Sequence, residues 1–156
     1  MLNIIRRVSD SQQILDVIHA AFKRYEQEQM PSSALVESKV TIEQELLDGV
    51  LMFGVEIGEQ LVGVVKVTRY KDHVYFSRLA VLPEFQKQGI ARLLVKFVEQ
   101  FAEKERTPTV RCKVRKSEED NIRLYKNLGF HIAKEEFTPT PLSFMMETVT
   151  MDKEVN

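Results

Sequence analysis

The densest chemistry in this 156-residue chain lies between Arg78 and Val95. The apolar run Leu79-Ala80-Val81-Leu82 stops at Pro83, the polar turn Glu84 to Gly89 follows, and an amphipathic stretch opens at once with Ile90. A glycine-bearing turn that runs straight into a helix gathers main-chain N–H groups at the helix start, where they have no intrahelical acceptor. Those donors and the positive end of the helix dipole favour an anion, a phosphate above all. Gly89 lets the backbone approach phosphate oxygens where a side chain would intrude, and the small Ala91 keeps the helix start open. The N–H groups of Gln88, Gly89, Ile90 and Ala91 are the candidate donors, with Lys87 and Arg92 to neutralise the charge. The plainer alternative is an ordinary strand–helix turn with a surface lysine. No Gly-Lys-Ser/Thr follows, so this is not a nucleotide P-loop, and the three glycines of a dinucleotide fingerprint are missing.

A second run, Asn121-Ile122-Arg123-Leu124-Tyr125-Lys126-Asn127-Leu128-Gly129-Phe130, places a tyrosine one turn before a glycine helix stop. Tyr125 either packs its helix on the sheet or offers its hydroxyl to a reaction. The remaining reactive side chains say less. Cys112, the sole cysteine, lies in an apparent strand with basic neighbours, and reads as a structural thiol more readily than a reactive one. His19, His73 and His131 show no metal-ligand spacing, so no metal is expected. Met145, Met146 and Met151 read as core or pocket lining.

Hydrophobic periodicity supplies the frame for these groups. Leu2 to Val8 is an opening strand. Ser9 and Gln12 have capping-box spacing, and Ile14, Val17, Ile18, Ala21, Phe22 and Tyr25 follow at helical spacing before Pro31. After a polar loop, Gln27 to Glu37, a short helix spans Ser38 to Asp48 and stops at Gly49. Val50 to Ile57, Leu61 to Tyr70 and Val74 to Leu82 are strands joined by tight turns. The long helix runs from about Gln88 to Glu105 with Ile90, Leu93, Leu94, Phe97 and Phe101 as its buried stripe. Thr109 to Arg115 is a strand, Ser117 caps a helix reaching Asn127, and Phe130 to Phe137 and Leu142 to Met151 are the last strands, separated by a loop at Pro139 and Pro141. The order β-α-α-β-β-β-α-β-α-β-β predicts an α/β fold, with a mixed, mostly antiparallel sheet and helices on both faces. No composition break divides residues 1–156, which read as one domain.

Composition narrows the function classes. Hydrophobic residues make up 44% and charged residues 29%, as in a globular protein. A net charge of −1 gives no general attraction to nucleic acid or an anionic membrane. The basic cluster Lys104, Arg106, Arg111, Lys113, Arg115 and Lys116 lacks interleaved aromatics and reads as a solvated face, so no nucleic-acid partner is expected. One cysteine excludes an intrachain disulfide and fits a reducing compartment. No apolar run approaches a membrane span and the N-terminus is too short for a signal peptide, which makes the cytoplasm the expected location.

The segment Gln86 to Ala91 fits Gln/Arg-x-x-Gly-x-Gly/Ala and resembles the pyrophosphate-binding signature of the GNAT acetyltransferases. Residues 121–130 are similar to that family's Ala-x-x-Leu-Tyr-x-x-Leu-Gly-Phe pattern, and the element order resembles the GNAT fold over nearly the whole chain. The resemblance implies an acetyl-CoA-dependent N-acetyltransferase acting by direct attack of a primary amine in a ternary complex. It implies that Gln86 to Arg92 hold the pyrophosphate and that the Leu79 and Val81 main chain pairs with the pantetheine arm like an added strand. A donor in that strand then polarises the thioester carbonyl. The family's tyrosine maps to Tyr125, whose hydroxyl can protonate the departing thiolate. One departure stands out: Glu118 occupies the place of an asparagine that often binds the pantetheine arm.

The acceptor, a small-molecule amine or a peptide or protein amine, is not named by the sequence. Alternation along Val74 to Val81 predicts Tyr75, Ser77 and Leu79 on one face. Neither glutamate nor histidine stands at Tyr75 or Ser77, where some family members carry the base; His73, Glu84 and Glu118 are further candidates. Glu26, Glu28 and Glu37, in the segment that covers the acceptor groove in this family, can attract a cationic acceptor or merely be solvated. The last strand, Leu142 to Met151, is expected at an exposed edge through which a homodimer can pair. A non-catalytic acyl-CoA sensor on the same fold is the alternative to the enzyme.

Overall fold

The computed structural model describes residues 3–23, 37–139 and 145–155. Glu26, Glu28, most of the polar loop from Gln27 and the start of the expected last strand at Leu142 lie outside them.

The strands are β1 (Asn3–Arg7), β2 (Leu51–Ile57), β3 (Gln60–Arg69), β4 (His73–Val81), β5 (Thr109–Arg115), β6 (His131–Pro139) and β7 (Met145–Glu154). The helices are α1 (Ser11–Phe22), α2 (Lys39–Leu47), α3 (Ile90–Lys104) and α4 (Glu119–Asn127). The element order is the expected one. One seven-stranded sheet has the order β1-β2-β3-β4-β5-β7-β6, antiparallel throughout except for β4 against β5.

Two apolar layers sandwich the first half of the sheet. Ile14, Val17 and Ile18 of α1 and Ile42 of α2 pack with Val64 and Ala80 on one face. Ile90, Leu94, Val95, Val98 and Ala102 of α3 pack with Val67, Val74 and Phe76 on the other. The α3 stripe is rotated slightly from the expected one. Leu93, Phe97 and Phe101 are only half-buried, and Ile90, Leu94, Val95, Val98 and Ala102 fill the centre of the contact. Phe97 and Phe101 instead close on Phe53 with ring centroids 4.8 and 5.7 Å away.

Caps explain the helix starts better than sequence spacing does. Asp10, not Ser9, caps α1 by accepting from the N–H groups of Gln12 and Gln13. Ser38 caps α2 through the N–H of Thr41. Glu118, not Ser117, precedes α4, without a side-chain cap. The last strand is not an edge. β7 folds back from β6 and inserts beside β5, so both of its sides carry ladder bonds, and β6 is the outer strand. The edge pairing expected for Leu142 to Met151 is therefore blocked over Thr148 to Met151, where both sides of the strand are taken. β6 carries charge that pairs along itself and across β7, Lys134 to Glu136 at 3.3 Å and Lys116 to Glu135 at 3.0 Å.

Candidate active site

The centre of the sheet is built to open. β4 and β5 pair only through His73↔Thr109, Val74↔Val110 and Tyr75↔Arg111. From Phe76 onward β4 has no ladder partner on that side among the described residues, and its main chain borders a crevice. A bulge lies in the same stretch. The β3–β4 register passes from Lys66↔Ser77 to Val64↔Ala80, so Val65 faces both Arg78 and Leu79, and Arg78 has φ +52°.

The bulge corrects the expected alternation. Val74 and Phe76 face the α3 layer, as do Leu79 and Val81, whereas Ala80 faces α1 and α2. Tyr75 and Ser77 thus do not share a face with Leu79, because the extra residue, Arg78, reverses the phase.

Past Leu82, Pro83–Phe85 form a single 3₁₀ turn, and the Gln86 side chain donates to the Val81 carbonyl at 3.0 Å, pinning the loop to the strand end. Lys87 and Gly89 adopt left-handed backbone, φ +63° and +84°. Gly89 is the N-cap of α3 and offers no side-chain cap. The first intrahelical bond runs from the Leu93 N–H to the Gly89 carbonyl, 3.0 Å. The N–H groups of Ile90, Ala91 and Arg92 precede it and have no intrahelical acceptor. A Cβ placed on Gly89 would meet nothing within 4 Å, so the approach to these donors is open.

These residues border one cavity of about 330 Å³. Leu79, Val81, Gln86, Lys87, Gly89, Ile90, Ala91, Arg92 and Tyr125 all line it. Gln88 does not, its side-chain amide reaching back to the Glu84 carbonyl at 3.4 Å. Sequence reasoning missed Phe85, the α1 residues Ala21 and Phe22, and three α4 residues, Asp120, Asn121 and Leu124. Asn121 and Leu124 stand four residues and one residue before Tyr125; the four-residue spacing puts Asn121 on its helix face, so that signal was available. Glu118 does not line the cavity, and neither do His73 or Glu84. His73 sits six residues from Leu79, about 20 Å along an extended strand, held by Asp72 at 2.8 Å and stacked on Tyr70.

Tyr125 sits where β4 and β5 part. It is 6% exposed, with its ring 5.7 Å from Phe76, the first β4 residue past the ladder, and 5.9 Å from Phe130. A local turn sets this pose: the Phe130 N–H returns to the Tyr125 carbonyl at 2.9 Å across Gly129, whose φ is +98°. On the opposite face burial pushes the Tyr75 phenol up, so it stays protonated at neutral pH and is a poor base. Burial, and then Asp152, push the Cys112 thiol up, which suits a packing residue. No group of three or more His, Cys, Asp or Glu side chains among the described residues is placed to hold a metal ion. Nor is any described helix long and apolar enough to cross a membrane.

A splayed parallel pair, a glycine turn at the helix start below it and a tyrosine at the fork meet in one cavity of a mixed seven-stranded sheet. The chain belongs to the acetyltransferase (GNAT) family, whose sequence model matches residues 14–130. No curated protein matches the sequence significantly. Solved structures share the fold. The ribosomal-protein-S18-alanine N-acetyltransferase from Escherichia coli superposes with a TM-score of 0.81 at 21% identity, covering 99% of this chain and 95% of that one. The paiA N-acetyltransferase from Thermoplasma acidophilum, in complex with coenzyme A, gives 0.79 at 18% identity and 99% of each chain. A probable acetyltransferase from Staphylococcus epidermidis gives 0.82 at 13% identity, covering 99% of this chain and 100% of that one.

Proposed function

We propose that this protein transfers the acetyl group of acetyl-CoA to a primary amine, as a single domain and in the cytoplasm. The observation that carries this reading is the continuous cavity that runs from the N-terminus of α3 to Tyr125 along the open edge of β4. One end offers main-chain donors and the cations Lys87 and Arg92 to a diphosphate. The middle offers the open main chain of Leu79 and Val81 to an extended amide-bearing arm. Asn121 lines the same cavity and Glu118 does not, so the side-chain amide of Asn121 is the group at hand for that arm. The far end holds a phenol.

In the reaction the amine nitrogen attacks the thioester carbonyl carbon, and a β4 N–H stabilises the oxygen as it gains charge. Collapse forms the amide and breaks the C–S bond, and the Tyr125 hydroxyl gives its proton to the departing sulfur. The amine's own proton leaves through water, since no carboxylate or imidazole among the described residues lines the cavity apart from the exposed Asp120.

Acetyl-CoA at a hundred times its dissociation constant is expected to stabilise the fold by about 2.7 kcal/mol. For a chain of this size that is a rise of about 5–10 °C in melting temperature. Thermal melting with millimolar acetyl-CoA checks it, and an unchanged midpoint counts against the cofactor assignment. Thiol release across a panel of amines then separates the enzyme from an acyl-CoA sensor, which would show the thermal shift and no release.

A further inference from the structure

The acceptor-side face of the sheet hides a group of charges that the proposed chemistry does not use. Lys66, in the middle of β3, is only 3% exposed. Its ammonium group is ion-paired with Glu37 and, at 2.6 Å, with Glu45 of α2. The second oxygen of Glu37 accepts from the Arg78 Nε at 3.2 Å. The Glu37 backbone is fixed as well, its carbonyl 3.0 Å from the His19 Nε2 of α1. One buried carboxylate therefore joins two cations, and both flank the bulge: Lys66 stands opposite Ser77, and Arg78 is the inserted residue.

The bulge decides which residues face the cavity. In an unbulged strand, alternation from Phe76 would put Arg78 and Ala80 on the cavity face and turn Leu79 and Val81 away. Only in the bulged register does Arg78 emerge on the α1/α2 face, beside Glu37. Arg78 holds a left-handed backbone, which is strained for a non-glycine residue. In the unbulged register Glu37 would keep Lys66 but lose Arg78, and its second oxygen would forfeit a charge-assisted hydrogen bond in a buried place, so Glu37 favours the register that gives it both cations.

We propose that Glu37 is a positioning residue for acetyl transfer: through Arg78 it locks the β4 bulge that turns Leu79 and Val81 toward the cofactor. The inference rests on the acetyltransferase reading for its effect on rate, but not for its effect on the strand.

The test uses the full chain with Glu37→Gln, Arg78→Ala, Arg78→Gly and the double variant Glu37→Gln/Arg78→Gly. Glycine takes positive φ freely, so Arg78→Gly should lose less activity than Arg78→Ala. Glu37→Gln should lower kcat about tenfold in the parent and less than twofold in the Arg78→Gly background, with the acetyl-CoA Kd changed less than threefold in both. An equal loss in both backgrounds, or no loss at all, overturns the proposal. If Glu37→Gln does not fold, the comparison of Arg78→Ala with Arg78→Gly decides, and equal kcat values overturn it. Without any ligand, ¹⁵N-leucine labelling should show the Leu79 amide resonance displaced in Glu37→Gln and that of Leu94 unmoved. An unmoved Leu79 overturns the lock. This last readout stands even if the parent binds no acetyl-CoA, which would refute the acetyltransferase reading separately.

Discussion

Replacing Gly89 with glutamate is expected to weaken acetyl-CoA binding by more than 100-fold while lowering the melting temperature by only a few degrees. Two effects separate here. Gly89 has φ +84°, and any L-residue there costs about 1–2 kcal/mol of stability. Space imposes no further penalty, since an added Cβ meets nothing within 4 Å. Binding suffers differently. The new carboxylate would stand at the mouth of the first turn of α3, in the region the diphosphate needs. Two like charges about 4 Å apart near a protein surface repel by about 4 kcal/mol before salt screening, and a 100-fold loss needs only about 2.7 kcal/mol. Gly89→Ala is the matched control, because it carries the same backbone strain without the charge and should bind far better than the glutamate variant. Calorimetry for Kd and thermal melting for stability check both halves. Parental affinity in Gly89→Glu would remove the α3 turn as the pyrophosphate site.

What could be read from the sequence, and what could not, follows the distance over which each feature is decided. The Gln86 to Ala91 turn and the Tyr125 helix are local: strand, breaker, glycine and apolar period lie within a few residues, and side-chain type fixes the backbone. Element order was legible for the same reason, down to the Gly129 stop. The bulge was not. Arg78 carries no glycine-like signal, and its left-handed φ is stabilised by Glu37, forty-one residues away in the chain. The buried state of Lys66 was equally invisible, since a lysine between valines in a strand reads as a solvent-facing position until two carboxylates from the α2 region cover it. Strand order escaped for a related reason. Nothing in the composition of Met145 to Glu154 tells whether that strand caps the sheet or inserts beside β5. That choice depends on its ladder with Thr109 to Arg115. The pairing of β4 with β5 is equally non-local, and it stops after three positions, which leaves one side of β4 open past Tyr75.

Tyr125→Phe is expected to lower kcat by about 100-fold or somewhat less and to leave the acetyl-CoA Kd within about twofold. The ring packing makes this substitution a clean one. The ring is held edge-on by Phe76 and tilted against Phe130, at centroid distances of 5.7 and 5.9 Å, and phenylalanine keeps both neighbours. Losing one hydroxyl hydrogen bond costs about 1 kcal/mol, so the α4 docking and the cavity wall should survive. The rate effect arises only if the hydroxyl acts on the leaving sulfur. A thiol of reference pKa about 8.5 is more acidic than a phenol of about 10, so proton transfer to the fully departed thiolate is uphill by about 2 kcal/mol, and transfer to the thioester sulfur of the bound substrate is far more so. The hydrogen bond from the hydroxyl strengthens as the C–S bond breaks and charge builds on sulfur, and such an interaction stabilises the transition state and not the bound substrate. General-acid contributions span about 100- to 10,000-fold, and a thiolate already leaves tolerably well, which places Tyr125 at the bottom of that range. The measurement needs kcat with an amine found by screening, under conditions where chemistry limits turnover, and a calorimetric Kd for acetyl-CoA with both proteins. An unchanged kcat would reduce Tyr125 to a packing residue and leave water to protonate the sulfur. A weakened Kd with an unchanged kcat would put the hydroxyl in cofactor binding alone, because an interaction equally strong in ground and transition states alters KM and not kcat.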